Sequence, residues 1–138
     1  MDRVCFAEIT VESVFEAAFE EARQHRWIES QNCGRDLGDW AIYDWYRHWW
    51  ATFLRHRHVE HLIGERWWAE FADSSYGILR EVLVYDLLAN DVVDLYRDGE
   101  ENLSIIKWAL DEGHNLDEIV DCLLLINMND ARLDPRFQ

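Results

Sequence analysis

Between Leu37 and Phe71 the chain reads LGDWAIYDWYRHWWATFLRHRHVEHLIGERWWAEF. Ile42, Trp45, Tyr46, Trp49 and Phe53 recur at helical spacing and form one apolar stripe, while Trp50, Leu54 and Leu62 form a second. Neither proline nor glycine interrupts residues 39–62, so the pattern predicts a single helix there. Two adjacent stripes mean a helix covered over much of its girth. Upstream, Val11, Val14, Phe15, Ala18 and Ala22 also repeat at helical spacing, and Ser13 with Glu16 fits a capping box. The stretch 30–38, with Asn32, Gly34 and Gly38, reads as a loop between these two helices. An antiparallel hairpin follows, with residue 20 level with 49. In that register Glu12 and Glu16, members of a like-charged i, i+4 ladder with Glu20, face Arg55 and Arg57.

Downstream, Gly64 ends the long helix. Residues 65–72 are expected to form a short helix with Trp67 and Phe71 on one side. Ile78, Leu79, Val82, Leu83, Tyr85, Leu87 and Leu88 leave few polar positions. They predict a buried central element, broken near Asn90 and Asp91. Residues 102–112 and 116–124 read as two more helices, joined by a turn at Gly113 and capped by Asn115 with Glu118. The expected architecture is all-α: a single-domain bundle of five to seven helices around the Trp-rich helix 39–62, without sheet. It occupies residues 1–138, with a short N-terminal arm at 1–9 and a polar C-terminal tail at 128–138.

Charge changes this picture most. The formal net charge is −15. Residues 81–130 hold thirteen acids against Arg97 and Lys107, whereas residues 45–80 hold five arginines against four acids. A field of that sign repels phosphate backbones, so direct nucleic-acid binding is disfavoured. The 102–124 unit has a superficial helix-turn-helix look. Its second helix offers Asp117, Glu118 and Asp121 where a DNA reader needs donors, so it reads as a packed helical hairpin. Cys5, Cys33 and Cys122 are odd in number and lack a C-x-x-C pair, which argues for free thiols rather than a disulfide framework. Residues 1–10 show no basic region followed by an apolar run, and no apolar run approaches the ~20 residues of a membrane span. The expectation is a soluble, cytoplasmic chain that does not engage membrane.

Candidate chemistry is sparse. His58, His61 and Glu65 are spaced i, i+3, i+7, so one helix face would present two imidazoles and a carboxylate, a set that divalent metals accept. They are weak metal candidates, because neither H-E-x-x-H nor H-x-x-E-H occurs. No nucleophile elbow, phosphate loop or dinucleotide fingerprint is present, so no catalytic residue and no cofactor is assigned. Six of the eight tryptophans lie in the 37–71 stretch. The neighbours Trp67 and Trp68 point about 100° apart on a helix, so one of them is expected at the surface as a contact for another chain. The leading expectation is therefore a non-enzymatic protein–protein interaction module (an adaptor, accessory subunit or self-assembling protein) whose partner is another protein or a second copy in a homodimer. Two alternatives are an acidic inhibitor or nucleic-acid mimic that occupies a basic groove of a DNA- or RNA-handling protein, and a metal-dependent helical enzyme.

Overall fold

A computed structural model of the chain describes residues 10–136, so the expected arm at 1–9 and the last two residues lie outside it. The order is β1 (Val11–Glu12), α1 (Val14–Cys33), α2 (Asp39–Leu62), β2 (Trp67–Trp68), α3 (Arg80–Tyr85), α4 (Leu87–Arg97), α5 (Asn102–Asp111) and α6 (Leu116–Ile126). Short 3-10 turns occupy Asp73–Ser75 and Met128–Ala131. Among the described residues the fold is all-α, with six helices. The expectation of no sheet is corrected by one small parallel pairing, with Val11 against Trp67 and Glu12 against Trp68.

α1 starts where the sequence places it. Ser13 is its N-cap, and the hydroxyl accepts the N–H of Phe15 at 3.2 Å. The second half of the cap comes from a distance. Glu70 accepts the Ser13 hydroxyl proton at 2.7 Å and the Val14 N–H at 2.8 Å, which sets a carboxylate against the positive end of the helix. α1 ends at Gly34, whose φ of +72° lets its N–H turn back to Gln31 O. The chain then reverses into α2. His25 stands 3.2 Å from Asp44, which places the hairpin antiparallel and in the expected register at its closed end. Further along, Phe15 stacks on Trp50 with ring centroids 6.0 Å apart.

Two apolar cores result, and α2 enters both. The first joins Val14, Phe15, Ala18 and Ala22 of α1 to Ile42, Trp45, Tyr46, Trp50, Phe53 and Leu54 of α2, with Trp68 and Phe71. Its rings meet edge-on or stacked: Trp45 with Phe53 at 5.5 Å, Trp45 with Tyr46 at 5.1 Å. Such pairs contribute about 0.5–1.5 kcal/mol each beyond their buried area. The second core sets Val59 and Leu62 of α2 against α4, α5 and α6 through Val92, Val93, Tyr96, Ile105, Ile119 and Ile126. The 128–138 segment is not a loose polar tail as far as Arg136. Met128 and Ala131 are buried, Trp50 Nε1–H donates to Leu133 O at 2.7 Å, and the Arg136 guanidinium lies 4.2 Å over the Phe15 ring.

Two local expectations are overturned, and a third holds only in part. Residues 65–72 do not form a helix, because the main chain of 67–68 pairs with β1 instead. The apolar run 78–88 is not one central element. Asp86 splits it, accepting the N–H groups of Leu88 and Ala89 at 3.0 and 3.2 Å as the N-cap of α4. Asn90 does not break the chain there. Its side-chain amide donates to Leu83 O and Asp86 O and so clasps the end of α3. Finally, the expected nearness of the acids to the α2 arginines holds for Arg57: the hydrogen bond from Arg66 holds the Glu12 carboxyl below its ordinary value and the charge of Arg57 helps, but neither Arg55 nor Arg57 is an ion-pair partner of Glu12. Glu12 lies on β1 and pairs with Arg66 through two contacts of 3.0 and 2.5 Å, Arg57 pairs with Glu60 of its own helix, and Arg55 reaches Glu101 and the carbonyls of Tyr96 and Glu100.

Gly64 turns the chain out of α2 with φ +78°. Above it lies Arg80, whose guanidinium donates to Ile63 O and Gly64 O at 3.3 and 2.9 Å and covers the negative end of α2. A Cβ at residue 64 would fall 1.9 Å from Arg80 Nη2. Gly64→Ala is expected to cost about 2–4 kcal/mol, combining left-handed backbone strain with loss of the charged cap. Gly34→Ala, with open space around its Cβ, should show the backbone strain alone. Urea denaturation of the two variants checks this; equal costs would contradict the role assigned to Arg80.

Candidate functional site

The last two turns of α2 carry His58 and His61, both fully buried where the two cores meet. His61 has both ring nitrogens occupied. Nδ1 accepts the main-chain N–H of Trp68 at 3.1 Å, and Nε2–H donates to Ala72 O at 2.9 Å. Its ring meets Trp67, Phe71 and Tyr76 edge-on. The imidazole thus bridges α2 to β2 and to the turn beyond it. His58 Nδ1 lies 2.7 Å from the Tyr96 hydroxyl, and its Nε2 lies 3.8 Å from Asp130, outside hydrogen-bond reach. Asp130 spends its Oδ2 on the Ala72 N–H at 3.0 Å. Burial holds the His58 pKa down at about 4, with the Asp130 carboxylate pulling the other way. Burial likewise raises the Tyr96 phenol above its ordinary value.

These placements dissolve the proposed ligand set. Glu65 lies beyond the turn at Gly64, exposed and off the helix, so the i, i+7 relation to His58 no longer sets the two on one face. Among the described residues no three His, Cys, Asp or Glu side chains are grouped to hold a metal ion. For His61 to ligate, it would have to give up either the Trp68 N–H or the Ala72 carbonyl. Both histidines serve instead as polar links between elements.

Trp67 and Trp68 diverge as neighbours on a strand do, to opposite faces. Trp68 is fully buried, with its Nε1–H on Glu60 at 3.1 Å and the Arg66 guanidinium 4.6 Å over the ring. It has no surface to offer a partner. Trp67 keeps part of its ring at the surface, stacked on Tyr76 at 4.5 Å.

The exposed apolar surface lies elsewhere. On α6, Ile119, Cys122, Leu123 and Ile126 face the core, while Leu116, Val120 and Leu124 are exposed. Positions 116, 120 and 124 advance by four, so they form a stripe about 80° wide on one side of the helix. Asp117 and Asp121 border it on the edge away from the core. On α5, Leu103 and Leu110 sit seven residues apart on one exposed side. Val84, Tyr85 and Leu87 are exposed at the break around Asp86. Asp86 in turn is close enough to α6 for its charge, after burial, to help raise the Cys122 thiol to about 11. Periodicity could have flagged an excess of apolar residues on this helix, carried by both Leu116–Val120–Leu124 and Ile119–Leu123–Ile126, though not which row is exposed.

A different surface, a shallow hollow of about 720 Å³, flanks α1 beside Trp27 and Arg35. Its other arginines are engaged by acids, Arg23 with Glu20 and Arg26 with Asp36. Among the described residues no helix is long and apolar enough to cross a membrane. Comparison of the chain with protein-family models, curated proteins and solved structures found no match.

Proposed function

We propose that this chain is a non-enzymatic protein–protein interaction module, with its contact surface on α3–α6 rather than at Trp68. One observation carries the reading. Val84, Tyr85, Leu87, Leu103 and Leu124 are all between 71% and 87% exposed, and all fall within the acidic 81–130 stretch. Exposed apolar side chains rimmed by charge have the composition of an interface, with an apolar centre and a polar border. The occupied nitrogens of His61 and the displaced Glu65 favour this reading over a metal-dependent enzyme. The acidic-mimic alternative needs a polar face of carboxylates; on α6 the carboxylates instead edge a row of aliphatic side chains.

A photoreactive amino acid placed at position 103 or 124, in the cells that make the protein, tests the proposal. The expected result is a discrete cross-linked adduct with another polypeptide from both positions, and none from position 20 on the acidic outer side of α1. Absence of adducts from 103 and 124 would overturn it.

A further inference from the structure

We propose that the outer face of α6 docks an amphipathic, basic helical segment of another protein. The inference rests on the interaction-module reading and adds the chemistry of the partner. Three features of α6 lead to it. The exposed stripe of Leu116, Val120 and Leu124 is a row of aliphatic side chains about 6 Å apart, the i, i+4 spacing that a second helix matches when side-chain ridges interdigitate. The main chain of α6 is bonded within its own helix, so a partner finds side chains there and not a strand edge to extend. Asp117 and Asp121, themselves i, i+4, run along one border of the stripe, and both are exposed.

Charge selects the occupant. The 81–130 stretch carries net −11, with Arg97 and Lys107 as its only cations. A helix with leucine-like residues on one side and Lys or Arg beside them would bury the stripe and set its cations against Asp117 and Asp121. A second copy related by a two-fold axis would instead bring two acidic borders together, and the whole chain at −15 adds to that repulsion.

The test uses a fluorescently labelled 20-residue peptide with Leu at i, i+3, i+4 and i+7 positions and Lys or Arg elsewhere, titrated with the full chain. Two controls are a scrambled peptide of the same composition and a counterpart with every Lys and Arg replaced by Glu. The ordered basic peptide should bind with Kd on the order of micromolar. Leu124→Glu, at an exposed position, should weaken it at least tenfold while leaving the dichroism spectrum unchanged. Asp117→Asn with Asp121→Asn should weaken it severalfold at low salt and not at 1 M NaCl, where such charges are screened.

Equal binding of the scrambled or acidic peptide, or no loss in Leu124→Glu, would overturn the inference. So would a concentration-dependent dimer, seen by sedimentation, that Leu124→Glu dissolves: the face would then belong to a second copy, and the interaction-module reading would stand. The same holds if the basic peptide fails to bind while Leu124→Glu removes the adduct formed in cells. Failure of both the peptide and every adduct sinks the two together.

Discussion

Trp68→Ala is expected to destabilise the domain by about 3–5 kcal/mol, the range for truncating a fully buried large aromatic. That is a large part of the ~5–15 kcal/mol typical of a native domain, so the variant should be partly unfolded under mild conditions. The reason is the number of elements that meet at this ring. Trp68 is packed in the core shared by α1 and α2, its indole N–H is bonded to Glu60 of α2, and Arg66 covers its face while holding Glu12 of β1. Removing the ring opens a cavity and leaves the Glu60 contact unmade. Trp67→Ala should cost far less, about 1–2 kcal/mol, because that ring is partly exposed and loses chiefly its stacking on Tyr76 and its edge contact with His61. Chemical denaturation of both variants checks the contrast. Equal losses would contradict the burial difference between the neighbours.

Acid should weaken the fold through His58. In the folded chain burial holds its pKa near 4, against 6.5 for the free side chain. Between those values the unfolded chain binds a proton that the folded chain refuses. Stability is therefore full above pH 6.5 and falls as the pH drops towards 4, by up to about 3 kcal/mol at 1.36 kcal/mol per pH unit. Asp130, 3.8 Å from Nε2, moderates the loss, while His61 and Arg55 add to it. His58→Asn retains a polar atom near Nδ1 for the Tyr96 hydroxyl but does not titrate. Urea midpoints of the two proteins between pH 7.5 and 4 should converge as the pH falls, since carboxylate protonation is common to both. Parallel curves would refute the assignment.

Local sequence and the periodicity of apolar residues determined much of the fold. The 3.6-residue stripes marked α1, α2, α5 and α6, Ser13 and Asn115 announced two helix starts, and the glycines near 34, 64 and 113 marked where helices end. These are signals between residues a few positions apart, and the chain carries them wherever it goes. The antiparallel hairpin followed too, because a loop of a few residues leaves two long helices little else to do. The charge asymmetry was legible as a count, although which acids border which apolar residues was not.

Tertiary structure decided the rest. Residues 67–68 became a strand because Val11–Glu12, more than fifty positions away, supplied hydrogen-bond partners and Arg66 found Glu12 there. Nothing within 65–72 announces that pairing. The pair His58–His61 looked like ligands because spacing reports which residues share a face, not what that face meets; it met Tyr96, Trp68 and Ala72. Likewise Leu116–Val120–Leu124 and Ile119–Leu123–Ile126 are equally apolar as strings. Only the packing of α4 and α5 against one side of α6 settled which set fills the core and which is left in water. Burial depends on which elements arrive, and that is a property of the whole chain, which short-range spacing does not encode.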